Sequence, residues 1–479
     1  MTKLKKLSDL EFTNRLVSQS AFLFEKVKPT PLSNPILLHT NHNILEKLEL
    51  LPTELSKPSF LKFVNGELSF DGLTSHASYY SGHQYGQFVP SLGDGRAIMI
   101  CETKNSCNQF YEWQLKGSGL TPFSRMGDGK AVVRSSIREY LASAHMSALG
   151  IPTTEALAII LGEDPVRRES IEKAAIVLRI SESFLRFGHL EFQHYHQKFD
   201  QLKKTVEVII KNYFENFVGH PNRYNLFFQE IVKRTAKLMA NWQSIGFCHG
   251  VMNTDNMSLL GLTIDYGPYG FIDKFDLDYI CNISDHEGRY SFGNQPEIGK
   301  WNLEKLGIAL SSLISLDDTQ RTLATYETIF HVEYQRLLRM KIGLYKTNPD
   351  DENLIRDLLK MLHDTKLDYT NFFRQLCDFK KTQIIPDSIP EKLKDFLSQY
   401  QKRLSLEELT DEERQLIMKK TNPKFILRNY LAQICIEDNS QLEKVFNLLT
   451  NPYDEWTEFE EFSKPAPEKY QFICVSCSS

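Results

Sequence analysis

FCHGVMNTDNMSLLGLTIDYGPY, residues Phe247–Tyr269, sets a His-Gly pair, an Asp-Asn pair (Asp255 and Asn256) and a second carboxylate (Asp265) between apolar runs. Mg²⁺ held against a nucleotide takes oxygen ligands, typically one or two from the protein with phosphate and water completing the octahedron. Asn256 and Asp265 can supply such a pair, which leaves Asp255 free to take a proton from an attacking hydroxyl. Asn-Thr-Asp-Asn is equally good turn chemistry, so the stretch by itself leaves a metal site and a plain turn both open.

Upstream residues favour the site. In SLGDGRA (Ser91–Ala97), Gly93 and Gly95 permit close approach of phosphates to backbone and Arg96 adds charge. A hairpin turn explains the two glycines about as well. Phe110–Lys116 alternates Phe110, Glu112, Gln114 and Lys116 on one side with Tyr111, Trp113 and Leu115 on the other, which predicts a strand ending at Lys116. A helix opening at Ser135 or Ser136 follows, with Ile137, Leu141, Ala144 and Ala148 at helical spacing and Gly150 closing it. Glu139 falls roughly opposite the Ile137/Leu141 stripe, in water or in a polar cleft, where it can pair with Lys116. His249 and Asn256 have the spacing of the protein-kinase catalytic loop HRDxxxxN, and Asp265-Tyr266-Gly267 stands where a kinase has Asp-Phe-Gly. Glycine loop, strand lysine, helix glutamate, loop asparagine and metal aspartate thus occur in kinase order. The kinase base position holds Val251, which accepts no proton. Either the chain is a pseudokinase that only binds nucleotide, or Asp255 does the base's work.

The wider chain agrees with an α+β, two-lobed, protein-kinase-like fold. Strands are expected at Ala97–Cys101, at Phe110–Lys116 and as two apolar runs around a charged turn in EALAIILGEDPVRRESIEKAAIVLRI. Beyond about residue 190 helices dominate: Gln201–Phe217, Leu226–Gly246, Leu303–Ser315, Leu354–His363, Tyr369–Phe379 and Glu391–Arg403. The expected division is a partly extended leader over 1–60, a smaller strand-rich lobe over 61–190 and a larger helical lobe over 191–479. With 479 residues and a net charge of −5, the chain buries a large core and implies no polyanion partner. No apolar run approaches the roughly 20 residues that span a bilayer, and the N-terminus lacks the apolar segment of a secretory signal. A cytoplasmic monomer is expected, with no membrane and no nucleic acid partner. The eight cysteines form no disulfide framework. Only Cys474 and Cys477 make a CxxC, which suits redox exchange on a tail better than zinc.

SGHQYGQFVPSLGDGRA, QLKGSGLTPFSRMGDGKAVVRSSIREYL, LRFGHLEF, CHGVMNTDNMSLLGLTIDYGPYGF and CNISDHEGRYSFGNQP closely resemble the selenoprotein O family, and the similarity extends to TNPKFILRNYLAQ (Thr421–Gln433). The resemblance implies a kinase-like protein that moves AMP, not phosphate, from ATP to protein hydroxyls, with ATP bound flipped and pyrophosphate leaving. Position by position it implies nucleotide contacts at Gly93, Gly95, Arg96, Lys116, Asp128, Gly129, Arg179, Arg186 and Asp265. It implies a proton acceptor at Asp255 and Mg²⁺ or Mn²⁺ ligands at Asn256 and Asp265. On the residues alone, Arg179 and Arg186 read as surface ion pairs. Members carry a C-terminal Cys-x-x-selenocysteine or Cys in its place; here it is Cys474-Val-Ser-Cys477, and Cys281 is a candidate disulfide partner for that tail. The function expected is AMP transfer to Ser, Thr or Tyr, including self-modification. UMP transfer from UTP with Mn²⁺ and a silent ATP-binding redox scaffold are the alternatives.

Overall fold

β-branched and aromatic runs broken by Gly and Asp turns produce antiparallel strands along the chain as far as Ser181. In the computed structural model, which describes residues 3–471 and 473–476, nine of them assemble into one sheet, and Gly82–Gln84 and Gln87–Val89 pair apart from it. Its order is Phe24–Lys26, His76–Ser78, Ala97–Lys104, Phe110–Lys116, Ile171–Ser181, Glu155–Arg167, Ile36–Thr40, with Glu11–Thr13 paired to the third of these and Ala131–Val132 to the fifth. The first 60 residues therefore contribute strands to the same sheet. The expected strand at Ala97 runs on to Lys104, and the expected hairpin forms between Glu155–Arg167 and Ile171–Ser181.

Register in this sheet begins to build the site. Lys116 lies opposite Val177, and Gln114 opposite Arg179. Side chains alternate across the pleat, so Trp113 and Leu115 enter an apolar cluster with Phe60, Phe63 and Leu157, while Gln114, Lys116 and Arg179 share the other face. Against that face lies the helix Val133–Ala148, which starts slightly earlier than its serines suggest. Ile137, Leu141 and Ala144 are core residues as expected. Of the two places expected for Glu139, water or a polar cleft, the structure has the second: every residue from Ser136 to Met146 is buried, and Glu139 is only 2 % exposed. Two cations from the sheet enclose its carboxylate.

Helices carry the rest of the chain. Phe199–Tyr213, Arg223–Ile245, Asp351–Thr365, Tyr369–Leu376 and Glu391–Leu404 match expected helices with shifted ends. The helix expected at Leu303 begins at Gln295 and ends at Ala309, because Pro296 sits in its first turn, where a missing N–H is harmless. Tyr326–Lys341 was not expected; its apolar stripe is narrow, burying Tyr326, Phe330 and Leu338 among charged neighbours. Helix Arg223–Ile245 closes on Gly246 in the left-handed conformation (φ 72°), which turns the chain directly into Phe247. The architecture is a large antiparallel sheet followed by many helices. Among the described residues no helix is long and apolar enough to cross a membrane.

Candidate active site

Two short strands clamp the stretch Phe247–Tyr269. Phe247–Cys248 pairs antiparallel with Gly270–Phe271, so the polar residues between them form a closed loop. Inside it, His249 Nε2 meets the Ile264 carbonyl at 2.9 Å, and the Trp242 ring stacks on His249 at 5.3 Å. Trp242 Nε1 also donates to Thr263 Oγ1 at 2.9 Å. Thr254–Asn256 forms a 3-10 turn that brings Asp255 and Asn256 to the same edge. Asp265 has φ 57°. A left-handed aspartate costs on the order of 1–3 kcal/mol and persists only where its surroundings over-determine it.

The surroundings are a chain of opposite charges. Lys116 Nζ donates to Glu139 Oε2 at 2.5 Å. Arg179 Nε donates to the other Glu139 oxygen, its Nη1 to Gln114 Oε1 at 3.1 Å, and its Nη2 to Asp265 Oδ1 at 2.9 Å. Arg186 Nη1 donates to Asp265 Oδ2 and, at 2.9 Å, to the Asp255 carbonyl. Burial alone would raise the Asp265 carboxyl, but Arg186, Arg179 and Lys116 outweigh it and hold Asp265 well below the usual range. Burial, with Arg179 nearby, lowers the Lys116 ammonium to about 8. Asp255 lacks such partners: burial lifts it to about 7, against smaller opposing effects of Gln84 and Arg186.

Lys116, Arg179, Arg186, Asp255 and Asp265 line one cleft of about 580 Å³, which also takes in Gly93, Gly95, Arg96, Asp128, Gly129 and Asn256. A Cβ on Gly93 (φ 138°) would lie 2.4 Å from the Phe123 ring, so only glycine fits there. Arg96 has no ion-pair partner among the described residues. Asp128 accepts both Arg168 Nη atoms, at 2.8 and 2.9 Å, and is held at about 2 chiefly by that bond. Asn256 Nδ2 donates to the Val251 carbonyl at 2.9 Å, which leaves its Oδ1 for the cleft. Arg179 and Arg186 are buried to within 3 %, not surface ion pairs.

A family model described as protein adenylyltransferase SelO matches residues 6–464. The chain belongs to the SelO family. It is 43 % identical over 479 residues to protein nucleotidyltransferase YdiU of Pectobacterium atrosepticum, covering 98 % of this chain and 99 % of that protein. It is 41 % identical to YdiU of Yersinia pseudotuberculosis serotype O:1b over 98 % of this chain and 99 % of that one, and 40 % identical to YdiU of Myxococcus xanthus over 99 % of both. The SelO-family chain is accordingly a protein nucleotidyltransferase.

In this SelO-family chain no cysteine among the described residues lines the cleft. Cys281 is buried, and its Sγ donates to the Cys248 carbonyl at 3.4 Å. The tail comes close: Val475 bridges to Asn282, and the Ile283 N–H donates to the Val475 carbonyl at 3.0 Å. Cys474 is free and exposed. Cys477 lies outside the described residues. Sequence reasoning missed Gln84, Gln114 and Asp94. Gln114 was placed on the correct face of its strand, but an amide opposite an arginine carries no signal until register is known. Asp94 lies between the two loop glycines and accepts from Ser78 Oγ at 2.6 Å.

Proposed function

We propose that the chain transfers AMP from ATP to Ser, Thr or Tyr hydroxyls of proteins, itself included, and releases pyrophosphate. The observation that carries this reading is the convergence of two unlike carboxylates, two guanidinium forks and a glutamate-held lysine on one cleft of a SelO-family chain. We further propose a two-lobed, kinase-like arrangement, with an extension over 1–60, a smaller strand-rich lobe over 61–190 and a helical lobe over 191–479.

In this mechanism Lys116, Arg96, Arg179 and Arg186 bind phosphate oxygens, and the guanidinium forks suit paired oxygens better than single charges would. Glu139 holds Lys116 and Arg179 in place from behind. Asp255 accepts the proton of the acceptor hydroxyl, whose oxygen forms the new bond to the α-phosphorus while the bond to pyrophosphate breaks. The charge that appears on pyrophosphate stays beside the arginines, where preorganised donors lower the barrier. Asn256 Oδ1 and the Asp265 carboxylate are hard oxygen donors and fit Mg²⁺ or Mn²⁺. Such an ion offsets phosphate charge when bound.

Incubation with ATP labelled at the α-phosphate tests the reading. Label should enter protein and survive denaturation. Label arriving from the γ-phosphate instead would make the chain a conventional kinase, and α-labelled UTP outcompeting ATP would make it a uridylyltransferase. Val251 in the kinase base position favours one other reading, a nucleotide-binding scaffold without transfer. It predicts thermal stabilisation by ATP with no covalent label under either metal.

A further inference from the structure

The hairpin Gly82–Val89 belongs to neither the nucleotide set nor the metal set, yet it is fastened to the catalytic loop residue by residue. Gly82–Gln84 and Gln87–Val89 pair through a two-residue turn, Tyr85-Gly86, with φ values of 50° and 83°, the primed geometry of tight hairpins. A tyrosine in the left-handed region costs roughly 1–2 kcal/mol, and its neighbours hold it there. The Tyr85 N–H donates to Tyr290 Oη at 2.9 Å and to Asn253 Oδ1 at 3.3 Å, while Asn282 Nδ2 donates to Tyr85 Oη at 3.1 Å. Two residues before Tyr85, the His83 N–H donates to Thr254 Oγ1 at 2.7 Å, and both side chains share the buried Glu191.

Between these anchors Gln84 Nε2 donates to Asp255 Oδ2 at 3.2 Å. It is the one side-chain donor to that carboxylate among the described residues. Asp255 Oδ1 is buried without a partner. Gly82 lies against it so closely that a Cβ would come within 2.4 Å of Oδ1. The carboxylate therefore fits its place only beside a glycine, and only one amide fixes its rotation.

We propose that Gln84 is a positioning residue for the transfer: its amide holds Asp255 by one oxygen and so sets the direction in which the carboxylate meets the acceptor hydroxyl. An amide takes no proton from a hydroxyl, so Gln84 acts only through Asp255. The proposal rests on the reading of Asp255 as proton acceptor. The hairpin's other bonds, to Asn253, Thr254, Tyr290 and Asn282, keep Gln84 in place without contributing to the chemistry.

The test is the rate of label transfer from α-labelled ATP in wild type, Gln84→Met, Asp255→Asn and the double variant. Methionine keeps the length of glutamine and removes the donor. Gln84→Met should lower kcat by about 10²-fold, the scale of a misplaced reacting group. KM for ATP and the ATP-induced rise in Tm should stay within about twofold of wild type, since binding groups are untouched. In the Asp255→Asn background the same change should cost nothing further, as for two residues acting as one unit. Gln84→Glu sets a second carboxyl against Asp255, where the two compete for one proton, and should also lower kcat. A wild-type kcat in Gln84→Met overturns the proposal, as does a loss shared equally by kcat, KM and Tm, or an additive loss in the double variant. Wild-type transfer by Asp255→Asn overturns the proton-acceptor reading itself, whatever Gln84 does. No transfer by the wild type overturns both.

Discussion

Asp255 and Asp265 are the same residue type on the same loop, and their surroundings give them opposite properties. Asp265 is held by two buried guanidinium groups and stays ionised far below neutral pH. Asp255 receives one amide, has one oxygen without a partner, and is raised to about 7 by burial. The contrast teaches that role here follows from partners rather than from residue identity, the general pattern when two carboxylates share a site. The ionised aspartate suits binding of cations, and the loosely held one suits proton transfer.

Asp265→Ala is the harshest way to break the comparison. It removes a proposed metal ligand and takes a carboxylate partner from both Arg179 and Arg186, so transfer should fall below detection. Breaking a buried pair costs roughly 3–5 kcal/mol, and urea unfolding should show a loss of that size. Asp255→Ala should lower transfer by about 10²–10⁴-fold, the range of general-base catalysis. Its stability should hold or rise, because a buried oxygen without a partner disappears. Lys116→Ala should weaken ATP binding by about 1.5–3 kcal/mol, the worth of charged hydrogen bonds, read by calorimetry.

The smallest expected effect sharpens the Asp265 side through pH. His189 Nδ1 accepts the Arg186 N–H at 3.0 Å, and burial, helped by the Arg186 charge, lowers this histidine to about 3. Between there and the unfolded value of about 6.5, the unfolded chain binds the extra proton. This contribution to stability is thus complete above about pH 6.5 and is lost as pH falls, at up to about 1.4 kcal/mol per unit. Urea midpoints at pH 7 and 5.5 should separate in wild type, and less so in His189→Asn.

Much of this was legible in the sequence because strand alternation and kinase-like order are local signals. Phe110–Lys116 put Lys116 and Gln114 on one face before any register was known. Glu139 was legible as a partner for Lys116 but not as buried. Its environment depends on Arg179, which reaches it only through the pairing of Ile171–Ser181 with Phe110–Lys116. Arg179 and Arg186 looked like surface arginines for the same reason. Gln84 was illegible, because its partner Asp255 lies far along the chain. The Tyr85-Gly86 turn was the only local signal, and it identifies a hairpin without saying what the hairpin touches.

Measuring ATP affinity and α-label transfer side by side, in Asp255→Asn and Asp265→Asn with Mg²⁺ and with Mn²⁺, tests most directly whether the two carboxylates divide the work. Asp255→Asn should bind ATP as wild type does and transfer almost nothing, whereas Asp265→Asn should lose metal-dependent binding and transfer together. Equal loss of binding in both variants, or undiminished transfer by Asp255→Asn, would contradict the division.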